Sequence, residues 1–329
     1  YIALIFFTLL WVVGCNPTLR KLAFDAGMFE DDYRYGDLYR LTNLAQFKSR
    51  TQLCSKQYGN GTAKNNMGLY LIGDSFTEEG RVNADDFNAQ TYLRIHWSDS
   101  VQIHLDTTKR NVLVLQTVER HFREHFAGPV HNFSVVPTPV VPAPSQPETW
   151  EERLESWEQM IQKSEEALIS CWFASDWAFR IKEWKAALNL HFFDRHDDQA
   201  AISPDGKNLL FCWDTDSTRI TSSFKYLPDS EVETLVKQAN QTRDYYRKMG
   251  FDEVYLAIIP NKTSIVAPNM GSYNHLVERV QQHPNLQIPV IDIWKRYKPR
   301  ATEVYQLGDT HWNCLGQQLW LKEVNQVLR

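Results

Sequence analysis

The sequence predicts an α/β protein built on a mainly parallel sheet, and three observations carry that expectation. Short apolar runs of strand length (GLYLI at 68–72, NVLVL at 111–115, and 253–259) punctuate longer stretches with helical spacing. The last third alternates helix and strand, a pattern that covers both faces of a parallel sheet. A chain of 329 residues with 43% hydrophobic and 13% aromatic content fills a sizeable core, which excludes a disordered or fibrous class.

Residues 1–13, YIALIFFTLLWVV, carry no charge and precede Gly14, Cys15, Asn16 and Pro17. A bilayer span needs about 20 apolar residues, so residues upstream are expected to complete a membrane anchor. The alternative is a lipoprotein processing site with Cys15 lipidated. Either reading places the remainder on the periplasmic or extracellular face. After residues 1–15, residues 16–134 form the first part of the main domain, with a helix expected over 39–47. Strand 68–72 runs directly into Gly73-Asp74-Ser75-Phe76, and strand 111–115 leads into Gln116-Thr117-Val118-Glu119-Arg120 and a helix.

Residues 135–147 (VVPTPVVPAPSQP) hold five prolines and read as an extended connector, because each proline fixes φ and removes a donor. Residues 148–200 read as a helical insertion, rich in Glu, Lys, Ala and Trp as far as residue 190, and residues 201–329 complete the main domain. There Ser230 with Glu233 forms a capping-box pattern opening a helix that runs to Met249, with Gly250 at its end. Strand 253–259, helix 273–282, strand 288–293 and a closing helix over 315–328 follow.

The formal net charge is -5, from 35 basic and 40 acidic residues without a block of one sign. That excludes a nucleic-acid-binding face. The 11 tryptophans read mainly as packing residues. Cys54, Cys171, Cys212 and Cys314 lie too far apart for a structural zinc site. An extracytoplasmic setting permits disulfides among them; four cysteines allow three pairings, and free buried thiols are the other reading.

A serine hydroxyl becomes a nucleophile when a histidine accepts its proton and a carboxylate orients that histidine. Ser75, in a glycine-containing turn at the carboxyl end of a strand, stands where active sites of parallel sheets lie. The start of a following helix offers N–H groups to a developing oxyanion. Asp309-Thr310-His311-Trp312-Asn313 supplies the rest, since residues two apart in an extended loop project to one side. Either element alone is ambiguous: Gly-Asp-Ser also makes ordinary turns, and Asp309 could cap the closing helix. Together, at opposite ends of one domain, they form a candidate Ser75–His311–Asp309 triad.

At these residues the chain resembles the SGNH hydrolase superfamily, whose serine lies in an early Gly-Asp-Ser block and whose Asp and His share a late block. The forms GDSF and DTHW look most like the polysaccharide O-acetyltransferase branch typified by the alginate enzymes. VLQTVER at 114–120, IPNKT at 259–263 and VID at 290–292 resemble that branch as well. In the alginate enzymes the Asp-x-His-Trp block precedes the serine; here it follows, as in ordinary SGNH hydrolases, and their Gly-x-Asn-Asp block is not evident.

The resemblance implies a three-layer SGNH-like fold and an extracytoplasmic O-acetyltransferase acting on a cell-surface or secreted polysaccharide. It also implies a multi-pass membrane acyltransferase as acyl-donor partner. An esterase or deacetylase, and a non-catalytic assembly subunit, are the alternatives. No cofactor or metal is expected. Gln116 and Arg120 are positional candidates for the oxyanion or substrate, with an ion pair the other reading for Arg120. Lys262 reads as a solvated turn lysine. His191, Asp194, His196, Asp197 and Asp198 read as a solvated loop, and His121 with His125 as structural. The sequons at Asn60, Asn132, Asn240 and Asn261 read as chance matches.

Overall fold

Both faces of the two central strands are covered, which is why they are apolar almost without interruption. In the computed structural model, which describes residues 1, 4–5, 7–9, 33–51, 54–55, 64–137 and 176–329, these are β1 (Asn65–Gly73) and β4 (Arg110–Val118). β2 (Ala89–His96) flanks β1, and β8 (Glu253–Ile259) flanks β4, giving a four-stranded sheet in the order β2-β1-β4-β8. All three pairings are parallel. Two-stranded sheets pair β3 (Val101–Ile103) with β5 (Phe133–Val135), and β6 (Ala200–Ile202) with β7 (Leu209–Phe211). The chain leaves β1 outward to β2, then returns to the other side of β1 for β4 and β8. The strand order therefore reverses between β1 and β4, where open parallel sheets leave a crevice at their carboxyl ends.

Among the described residues the helices longer than four residues are α1 (Asp37–Thr42), α2 (Glu119–His125), α3 (Asp176–Phe193), α4 (Asp229–Lys248), α5 (Lys262–Val266), α6 (Leu276–Gln281) and α7 (Cys314–Val327). The chain divides into two compact units: Tyr1–Thr51 with Pro142–Asp197, and Gln52–Val141 with Asp198–Arg329. In the first, Tyr39 of α1 stacks on Phe179 of α3 at 5.9 Å, and Glu183 accepts hydrogen bonds from Lys48, at 2.7 Å, and from the Tyr39 hydroxyl. The second contains the sheet and its core.

The expected elements are corrected at four places. The helix over 39–47 is broken at Asn43, whose left-handed φ of 51° separates α1 from a short 3-10 turn. β2 was not foreseen. Strand 288–293 reduces to one parallel bridge, Leu256 with Val290. α4 begins one residue before Ser230, after Pro228, without a side-chain cap. Cys54 and Cys314 form a disulfide, and Cys212 is free. Among the described residues no helix is long and apolar enough to cross a membrane. Cys15, Cys171, most of the N-terminal run and most of the proline-rich connector lie outside the described residues.

Candidate active site

β1 ends at Gly73, and the turn that follows is held by its own aspartate. The Asp74 carboxylate accepts the Phe76 N–H at 3.0 Å, the Gln116 Nε2 amide at 2.9 Å and the Val118 N–H at 2.6 Å. Gln116 completes the lock from β4, its Oε1 accepting the Asp74 N–H at 3.1 Å and the Thr77 hydroxyl at 2.8 Å. Glycine is required at 73 by this approach, because a Cβ there would lie 2.1 Å from Thr77 Oγ1 and 2.8 Å from Gln116 Oε1. Ser75 sits at the apex of the turn with its residue exposed.

His311 Nε2 lies 2.9 Å from Ser75 Oγ, and His311 Nδ1 lies 2.6 Å from Asp309 Oδ1. The same carboxylate oxygen accepts the His311 main-chain N–H at 2.7 Å. Burial opposes the charge on Asp309, but the neighbouring His311 and both of these hydrogen bonds outweigh it. The carboxyl is held well below the usual range. An ionised Asp309 fixes the proton on Nδ1 and leaves Nε2 free to accept from the serine hydroxyl. The Phe76 ring packs 4.7 Å from the imidazole and 5.1 Å from Trp312, steadying the ring's other face.

The loop carrying Asp309 and His311 is anchored by Lys262, the first residue of α5. Its Nζ donates to the carbonyls of Gln306, of Leu307 at 2.9 Å and of Asp309 at 3.2 Å. Only 1% of Lys262 is exposed, so the expectation of a solvated turn lysine is corrected: its cation replaces water as the partner of three loop carbonyls. From α7, the Asn313 side chain caps the helix by accepting the Gly316 N–H at 3.1 Å, and Cys314 carries the disulfide to Cys54.

The two other nominated residues are committed elsewhere. The Gln116 amide is spent on the serine turn. Arg120 pairs with the buried carboxylate of Asp214 at 3.2 Å and lies 5.3 Å over the Phe211 ring, so the structure places it in the ion pair that was its other reading. Next to it, Glu119 is buried and accepts the Asn261 N–H at 2.8 Å. Burial, only partly offset by hydrogen bonds from Ser264 and Asn261, pushes its carboxyl up to about 8. His125 is half-buried and stacks on Trp97 at 4.0 Å; burial first, then His121 and His96, bring it down to about 3. His191, Asp194, His196 and Asp198 are exposed, as a solvated segment requires.

Sequence reasoning missed Arg94 on β2. Its Nη2 donates to the carbonyls of Gly73 at 3.1 Å and Asp74 at 2.8 Å, directly behind the serine. The signal available was weak, a single arginine late in a half-exposed strand. No family model matches the chain, and neither a curated protein nor a solved structure does.

Proposed function

We propose that this protein is a serine-dependent acyl-ester enzyme of SGNH type. The reading that fits it best is an extracytoplasmic O-acyltransferase that moves an acetyl group onto a polysaccharide hydroxyl. The observation that carries the proposal is the continuous relay from Ser75 Oγ through His311 to Asp309, with contacts of 2.9 and 2.6 Å. The likeness of GDSF and DTHW to the SGNH blocks supports it, as does their place at the strand-order reversal.

The chemistry follows from the geometry. His311 Nε2 takes the proton of Ser75 as Oγ attacks the acyl carbonyl, and the Ser75 N–H faces the resulting oxyanion. The imidazolium returns the proton to the departing group, leaving an acyl-serine. A sugar hydroxyl then attacks that ester, again giving its proton to His311, and Ser75 is regenerated. The exposure of Ser75 suits a polymeric acceptor, and it also admits water, so hydrolysis to free acid is the second reading. On this proposal the N-terminal apolar run tethers the chain outside the cytoplasm, and a multi-pass membrane acyltransferase supplies the acyl group.

The test compares wild type with Ser75→Ala and His311→Ala on a chromogenic acetyl ester, with and without oligosaccharide acceptors. The proposal expects turnover to be lost in both variants, and acetylated sugar to outweigh released acid when acceptor is present. Acid alone would select the esterase, and turnover unchanged in both variants would leave a non-catalytic assembly subunit.

A further inference from the structure

We propose that Arg94 strengthens the oxyanion donor of this site by polarising the Asp74–Ser75 peptide unit, an inference that rests on the reading of Ser75 as the nucleophile. Arg94 lies opposite Leu71 in the parallel register of β2 with β1, so its long side chain reaches forward to the end of β1. There Nη2 bridges the Gly73 carbonyl at 3.1 Å and the Asp74 carbonyl at 2.8 Å. The Asp74 carbonyl also accepts the Thr77 N–H at 3.1 Å, so two N–H donors draw on one oxygen.

In a trans peptide the C=O and the following N–H point in opposite directions, and amide resonance couples them. Charge drawn toward the Asp74 oxygen therefore leaves the Ser75 N–H more positive, on the face away from Arg94. That N–H is the uncommitted donor of the turn. The Asp74 N–H is taken by Gln116 Oε1 and the Phe76 N–H by Asp74 Oδ1, whereas the Ser75 N–H meets no acceptor among the described residues. The Arg94 Nε is buried without a hydrogen-bond partner. Its charge acts through a hydrogen-bonded chain in which each link reinforces the next.

A neutral ester carbonyl gains little from a stronger donor, and the oxyanion of the tetrahedral intermediate gains more. The effect of Arg94 accordingly falls on kcat rather than KM. Arg94 is a positioning residue, since it acts through the Ser75 peptide and not on the substrate.

The experiment uses the full chain as wild type, Arg94→Gln, Arg94→Met, Arg94→Lys and Ser75→Ala, with p-nitrophenyl acetate as the probe. It reads kcat, KM, the unfolding midpoint and inhibition by a trifluoromethyl ketone, which forms an anionic hemiketal on an active serine. For either neutral variant kcat should fall about tenfold with KM within about twofold, and ketone affinity should fall by the same factor. Arg94→Lys, which keeps the charge, should recover most of the loss. Wild-type kcat and ketone affinity in a folded neutral variant, with Ser75→Ala inactive, would overturn the role of Arg94 alone. A Ser75→Ala enzyme as active as wild type would overturn the reading of the site and this inference with it. Should both neutral variants fail to fold, Arg94→Lys decides: kcat within about threefold of wild type supports the inference, and a larger loss at unchanged unfolding midpoint overturns it.

Discussion

The ammonium of Lys262 donates to the main-chain carbonyl of Asp309 at 3.2 Å, so the loop that presents the acid to His311 hangs from a buried cation at the start of α5. Replacing Lys262 with Met leaves three loop carbonyls without their donor. We predict a loss of about 2–4 kcal/mol in unfolding free energy and a fall in turnover larger than the change in KM, because the imidazole loses its fixed orientation. Urea unfolding and steady-state kinetics on the same preparation check both; unchanged stability would mean the cation is not holding the loop.

Glu119 ties the end of β4 to Asn261 while held as an uncharged acid, and this fixes a sign. Its folded pKa of about 8 lies above the ordinary 4.5, so the native state keeps a proton that the unfolded chain has lost. The stability it contributes is full below about pH 4.5 and declines as pH rises toward 8. Glu119→Gln should remove that decline. Thermal midpoints from about pH 5 to pH 9 check it, and parallel curves for wild type and variant would contradict it.

The disulfide between Cys54 and Cys314 joins residues 260 apart in sequence and fastens the first turn of α7, close behind His311. Reduction, or Cys54→Ser, should lower unfolding free energy by about 2–4 kcal/mol. Denaturant midpoints with and without a reductant test this, and equal midpoints would show that the bond adds nothing.

What the sequence made legible follows the physics of its signals. β8 matches its expected span, 253–259, a short apolar run rich in branched residues that pairs along its whole length with β4. The meeting of Ser75, His311 and Asp309 was legible because Gly-Asp-Ser and Asp-x-His each gather their side chains within a few residues, and the fold had only to join two loops. β2 was not, because an edge strand with half-exposed alternation (AQTYLRIH) carries little hydrophobic periodicity. Residues 288–293 have the composition of a strand but make a single bridge to β8, so pairing, a non-local property, decided against them. Lys262 and Arg94 were opaque for a related reason. Their roles lie in carbonyls at 306–309 and 73–74, and no local pattern announces such a contact.

In the proposed mechanism Ser75 becomes acylated with the help of His311, and trapping that acyl-enzyme tests the step. The full chain would be exposed briefly to p-nitrophenyl acetate, quenched in acid, digested and examined by mass spectrometry. The proposed mechanism predicts one acetyl group on the peptide containing Ser75, absent in Ser75→Ala and formed far more slowly in His311→Ala. An unmodified Ser75 peptide, or equal labelling in wild type and His311→Ala, would contradict it.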